Sequence, residues 1–140
     1  MSGRAFVDTN VIVYLFDSRT PAKRKRAGEL LQALAEEAHA PVVSTQVLQE
    51  AYVALTGKLG VDPDEALSTL MMMDGATFTV QPVDAPLVWR GARRSVDDQV
   101  SFWDGLIVET AREAGCSRLY SEDFQAGRSF DGVTVTNPFV

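Results

Sequence analysis

Apolar residues along the chain gather into short blocks separated by polar turns, and the first blocks raise a physical problem. Ala5-Phe6-Val7 reads as a short buried strand, Asp8 ends it, and the run from Val11 to Phe16 is again almost wholly apolar. A carboxylate between two segments that both call for burial is unfavourable unless it is paired, hydrogen-bonded or bound to a metal. Further on, Thr20-Pro21 predicts a helix start with proline at its first position, and Ala27, Leu30, Leu31, Leu34 and Ala38 follow at helical spacing. Pro41-Val42-Val43 predicts a strand. Ser44 or Thr45 then caps a helix that turns Val47, Leu48, Ala51 and Leu55 inward and ends between Gly57 and Gly60. Asp62-Pro63-Asp64-Glu65 combines a cap, a proline and a capping-box glutamate ahead of the stripe Ala66, Leu67, Leu70 and Met71. The three consecutive methionines there are expected to fill core. Thr77 to Val80 predicts a strand, Asp84 to about Ser95 a helix, and Ser101 to Ala114 a helix ended by Gly115. Arg118 to Ser121 and Val133 to Val135 complete the strands.

Strands alternating with helices of this length predict one α/β domain over residues 1–140, a three-layer α/β/α arrangement with a mainly parallel sheet covered on both faces. In such a sheet the strand ends and the starts of the following helices share one edge, where ligands bind. Four acidic residues fall on it: Asp8 at the end of the first strand, Glu50 in the second turn of the helix after Pro41-Val42-Val43, Asp104 in the first turn of the helix from Ser101, and Asp123 in the loop after the strand from Arg118. Taken singly, Asp104 fits a capping box with Ser101, Asp123 fits a turn, and Glu50 fits a solvated helix face. Asp8 has no such ordinary account. Taken together, four carboxylates without a cation would raise one another's pKa values, and a divalent ion removes that conflict. Magnesium or manganese, which prefer oxygen ligands and substrate phosphates, suit the set.

Composition narrows the chemistry. With one cysteine, Cys116, and one histidine, His39, the chain forms no internal disulfide and lacks the thiolate and imidazole ligands of a zinc site. No apolar run approaches the roughly 18 residues of a membrane span, and nothing near Met1 reads as a signal peptide, so a cytoplasmic location away from membranes is expected. The net charge of -6 opposes nucleic-acid binding by bulk electrostatics, but basic residues bunch in Lys23, Arg24, Lys25 and Arg26 and again in Arg90, Arg93 and Arg94. Each bunch on its own fits a solvated helix face, but the first lies where the helix dipole disfavours cations, which hints at a contact for RNA or an acidic partner segment.

The segments AFVDTNVIVY, STQVLQE, SFWDGLIVETA and LYSEDFQAGRSFDGVTVTNPF, in that order from Ala5 to Phe139, resemble PIN-domain proteins, in particular the VapC-type toxin ribonucleases of bacterial toxin–antitoxin systems. The resemblance implies a compact α/β/α domain that hydrolyses RNA with magnesium or manganese. Its acidic positions fall on Asp8, Glu50, Asp104 and Asp123, with Asp8 and Asp104 the first expected metal ligands. Asn10 and Ser121 would orient ligands or water around them. Some similar proteins carry another acidic residue where this chain has Gln125, so the resemblance implies one ion and leaves a second unassigned. It also implies a homodimer and a small antitoxin partner.

Two other readings remain open on the residues alone. A receiver-like phosphoacceptor domain would also bind magnesium at an acidic sheet edge, but it calls for adjacent acidic residues at the first site and a lysine at a later strand end. Here the first site is Val7-Asp8-Thr9, and no lysine follows Lys58. A non-catalytic binding module with the same fold would be favoured by a missing carboxylate, and all four are present.

Overall fold

Six strands, β1 (Arg4–Val7), β2 (Val42–Ser44), β3 (Thr79–Gln81), β4 (Cys116–Tyr120), β5 (Ser129–Phe130) and β6 (Val133–Thr136), alternate with six helices among the described residues. The helices are α1 (Thr9–Tyr14), α2 (Pro21–Ala35), α3 (Thr45–Thr56), α4 (Pro63–Ala76), α5 (Ala85–Asp98) and α6 (Phe102–Glu113). The computed structural model describes residues 3–125 and 127–140; the expected domain of 1–140 also takes in Met1, Ser2 and Ala126, which lie outside them. Among the described residues no helix is long and apolar enough to cross a membrane.

The strands form one sheet in the order β3-β2-β1-β4-β6-β5, parallel throughout except for the β5–β6 pair. Phe6 and Val7 in β1, all of β2, and Leu119 in β4 are buried, as a sheet covered on both faces requires. From β1 the chain moves outward through β2 to β3, then crosses back to place β4 beside β1. Right-handed crossovers put helices on opposite faces when that direction reverses. Accordingly α1, α2, α3 and α4 contact one another as one group, and α5 pairs with α6 as the other. The predicted α/β/α architecture is therefore the one observed. The short antiparallel edge β5 was not predicted; it is set by Asp131-Gly132, both at positive φ (48° and 93°), the backbone a two-residue hairpin demands.

Several local expectations shift. The apolar run after Asp8 forms α1, a helix that buries Val11 and Ile12 and is capped by Asp8 itself. Thr20 makes no capping bond, although Pro21 does open α2, and the helix stops at Ala35 with Ala38 exposed beyond it. The methionines are not core filler: Met71 and Met72 are exposed, as is Leu67, and only Met73 packs against the core. Arg90 and Arg94 do not form an open basic patch. Both pair with buried Glu109 of α6, Arg112 joins them, and Arg94 also meets Asp98 and Asp131.

That ionic cluster sits beside a backbone contact between α5 and α6. A Cβ added to Gly105 would lie 2.5 Å from the carbonyl oxygen of Gly91 and 3.1 Å from the amide nitrogen of Ser95, so the helices touch where neither has a side chain. This contact fixes the first turn of α6. Gly105→Ala is therefore expected to destabilise the fold by about 1–3 kcal/mol through overpacking. Gly28→Ala, in α2 with nothing within 4 Å of the added carbon, is expected to raise stability by roughly 0.5–1 kcal/mol. Urea unfolding of the two variants checks both, and equal effects would refute the close contact.

Candidate active site

The reversal of the sheet leaves a crevice outside the adjacent carboxyl ends of β1 and β4, the switch point where ligands of open α/β sheets bind. Asp8 leaves β1 into this crevice, and Ser121, Glu122 and Asp123 leave β4 into it. A backbone bond from Asp8 N–H to the Tyr120 carbonyl (3.0 Å) joins the two exits. Asp8 is only 4% exposed. Its Oδ1 accepts from the Thr9 N–H at 2.7 Å and its Oδ2 from the Ser121 hydroxyl at 2.7 Å. Ser121 in turn accepts from the Asn10 amide (3.2 Å) and the Asp123 N–H (3.1 Å), which uses the full capacity of a hydroxyl.

The other acidic residues converge on the same place from different elements. Glu50 leans from α3 to α1, where its Oε1 accepts from the Thr9 hydroxyl at 2.7 Å, and Gln46 approaches its Oε2 at 3.5 Å. Asp123 accepts from the Asn10 amide at 3.1 Å. Asp104 lies half-buried in the first turn of α6. Its N–H donates to the Ser101 hydroxyl (3.0 Å), but the reciprocal capping-box bond is absent among the described residues. Asp8, Glu50, Asp104, Asp123, Asn10 and Ser121 are thus brought to one rim. Of the basic run, Lys23 is committed to Glu122 (2.9 Å) and to the Tyr14 hydroxyl (3.1 Å), and Arg24, Lys25 and Arg26 are exposed.

Periodicity gave no reason to single out Thr9, Gln46, Tyr14 or Glu122. Gln46 stands four residues before Glu50, a spacing that puts the two on one helix face and was the available signal. Its amide also donates to the Trp103 carbonyl (3.3 Å), linking α3 to α6, while its buried Oε1 has no partner. Tyr14 donates to Glu122, and this bond with that of Lys23 braces the loop carrying Asp123. Above these groups opens a groove of about 720 Å³ lined by Thr9, Asn10, Gln46, Glu50, Trp103 and Asp123, among others. Asp8 is buried next to the lining residues Thr9 and Asn10.

The electrostatics follow from the arrangement. Burial pushes the Asp8 carboxyl up to about 7, against the pull of the Ser121 and Thr9 bonds, and the charges of Asp123 and Glu50 push the same way. Asp104 is also raised, by burial first and then by Asp123, with Glu50 adding and Ser101 opposing. No ion pair among the described residues includes any of the four carboxylates. Their chemistry fits a hard divalent cation: oxygen donors only, convergent, and short of positive charge. Among the described residues no three acidic side chains are drawn together as a finished ligand set. Asp8, Glu50 and Asp123 are turned instead to Thr9, Ser121, Gln46 and Asn10.

A PIN domain family profile matches residues 5–128. Among curated proteins, none matches this sequence. Solved structures similar to the chain include Mycobacterium tuberculosis VapC20, described as a sarcin–ricin loop cleaving toxin, at 21% identity and TM-score 0.59 over 85% of this chain and 89% of the other. A toxin–antitoxin complex from Klebsiella pneumoniae matches at 20% identity and TM-score 0.67 over 96% and 97%. DNA-bound VapBC from Salmonella typhimurium matches at 14% and 0.66 over 99% of each chain. At such identities these likenesses bear on the fold.

The raised Asp8 carboxyl makes stability depend on pH. In the unfolded chain the group titrates near 3.8 and in the folded protein near 7, so between those values the folded state binds more protons. Stability therefore falls as pH rises through this window, by an amount on the order of 4 kcal/mol from this group. The metal-free wild type is expected to lose melting temperature from about pH 4 to about pH 7 relative to Asp8→Asn, which does not titrate. Parallel melting profiles for the two proteins would refute a raised Asp8.

Proposed function

This chain belongs to the PIN domain family, and on that footing we propose that it is a metal-dependent endoribonuclease, the toxin of a toxin–antitoxin pair. The observation that carries the reading is the convergence of Asp8, Glu50, Asp104 and Asp123 at the β1/β4 switch point without a cation among their partners. The likeness to toxin–antitoxin complexes supports a small antitoxin protein as partner, and a homodimer remains part of the proposal. The receiver-like alternative is disfavoured by the strand order, which differs from the 2-1-3-4-5 of that fold.

Asp8, Glu50, Asp104 and Asp123 would hold magnesium or manganese, one ion on the present count of carboxylates. When bound, such an ion supplies Lewis acidity at the phosphoryl oxygen and lowers the pKa of water. The residues of the chain do the remaining work. Asp8, at the end of β1, and Asp104, on the first turn of α6, bring negative charge from the sheet and from the α5–α6 layer. Ser121 and Asn10 keep the carboxylates of Asp8 and Asp123 in fixed orientations through the bonds described above. Glu50, steadied by Thr9 and Gln46, faces the groove and is placed, with Asp123, to orient a water and take its proton. In-line attack by that water on an RNA phosphodiester breaks the bond to the 3′ oxygen and leaves a 5′-phosphate and a 3′-hydroxyl.

Cleavage of RNA by the purified protein is therefore expected to require magnesium or manganese, to stop in chelator, to be weak in calcium, and to yield 5′-phosphate ends. Asp8→Asn and Asp104→Asn are expected to abolish cleavage while the metal-free proteins melt no lower than wild type at neutral pH, because each removes a repelling charge. Ser121→Ala is expected to lose about 10–100-fold in activity. Asp64→Asn, at the exposed start of α4, is the control and keeps it. Full cleavage in excess chelator, or cyclic phosphate ends, would refute the mechanism.

A further inference from the structure

Trp103, the residue before Asp104, is 59% exposed inside the groove that holds Glu50 and Asp123. Trp89 is also exposed, but Trp103 lies inside a groove, and exposed apolar surface gathered in a groove marks a place of contact. The backbone of Trp103 is tied to the site and its ring has an aromatic neighbour. Its ring meets Phe102 edge to face at 5.0 Å between centroids, and its backbone carbonyl accepts the Gln46 amide that also reaches Glu50. Val53, also exposed, lines the same groove.

The walls of the groove carry Asp17, Glu50, Glu122 and Asp123 against Lys58 as the one described lysine. Arg19 neutralises Asp17 and Lys23 neutralises Glu122, which leaves Glu50 and Asp123 against Lys58, so the wall offers no net positive charge to a phosphate backbone and contact through the bases is favoured. Unpaired bases stack on aromatic side chains regardless of sequence, whereas a base inside a duplex has both faces occupied. We propose that Trp103 is a stacking platform for an unpaired base next to the scissile phosphate. The proposal rests on the ribonuclease reading. Holding the indole on the residue adjacent to Asp104 ties the position of the stacked base to that of the reacting phosphate.

The test measures cleavage of a short unstructured RNA of mixed sequence in magnesium, with wild type, Trp103→Ala and Trp103→Phe. Losing one stacked base weakens binding by about 5–150-fold, so Trp103→Ala is expected to raise KM within that range and leave kcat nearly unchanged. Trp103→Phe is expected to restore most of the loss. Replacing the nucleotide beside the cleavage site with an abasic one is expected to raise KM for wild type and to leave no further effect for Trp103→Ala, a non-additivity that loss of packing would not produce. The abasic substrate tests the wild type even if the alanine variant folds poorly. With Trp89→Phe as background, Trp103 is the sole indole, and its fluorescence is expected to be quenched by the RNA in calcium. An unchanged KM with intact metal-dependent cleavage overturns the platform and leaves the nuclease reading standing. An unchanged KM together with weakened homodimer or protein-partner binding assigns the indole to a protein contact and also overturns it. Absence of cleavage of any RNA by wild type overturns the nuclease reading first.

Discussion

Everything at the sheet edge depends on a carboxylate held where its charge is poorly supported. Asp8 is buried at the point where strand order reverses, and its two hydrogen bonds come from a backbone N–H and a hydroxyl rather than from a cation. Such bonds lower a carboxyl pKa, yet burial and two acidic neighbours outweigh them. A residue serving only as a helix cap would sit in solvent at a helix start, as Asp62 does at the start of α4. The position of Asp8 therefore costs the fold stability when the group is charged, a cost of the kind accepted at functional sites.

Holding such a cluster open is a mechanical problem, and neutral side chains solve it. Thr9, Asn10, Gln46 and Ser121 each bridge two elements, and none adds a charge that would collapse the acidic groups onto it. Behind them the frame is stiff. The first turn of α6, which carries Asp104, is set by the backbone contact of Gly91 with Gly105, and deeper along the same helix pair Glu109 is clamped by three arginines. Breaking such a buried cluster at one member leaves an uncompensated charge, so the pair resists sliding. On the other side, Lys23 and Tyr14 hold Glu122 and with it the loop of Asp123.

The class of the fold and the gathering of the four carboxylates were legible in the sequence because both follow from periodicity. Strand ends and helix starts can be counted, and a parallel sheet puts them on one edge. Less legible was everything decided by a partner distant in sequence. The run Val11 to Phe16 forms a helix because Asp8 caps it and α3 covers it, neither visible in an unbroken apolar stretch. Met71 and Met72 look like core by composition and lie outside because α4 shows only Ala66 and Leu70 as fully buried. Arg90 and Arg94 look like a basic patch until Glu109, 19 and 15 residues away, takes them inward. Gln46 and Thr9 carry no charge and no periodic signal strong enough to single them out, so their part in orienting Glu50 emerged only from the geometry.

The same inward pairing bears on how an acidic protein meets a polyanion. Lys23 is tied to Glu122, Arg118 to Glu37, and Arg90, Arg94 and Arg112 to Glu109, so much of the positive charge of the chain is neutralised at short range. With a net charge of -6, long-range attraction does not draw nucleic acid to this surface. If the chain acts on RNA as proposed, charge balance is achieved locally, at the cluster around Asp8, and the remaining affinity comes from contacts that do not depend on charge. On the proposed stacking role, a groove with an exposed tryptophan beside its acidic centre would meet both requirements, offering little to phosphates and an aromatic face to bases that are free to stack. On that proposal the acidity of the groove and its affinity for a strand with free bases are parts of one arrangement.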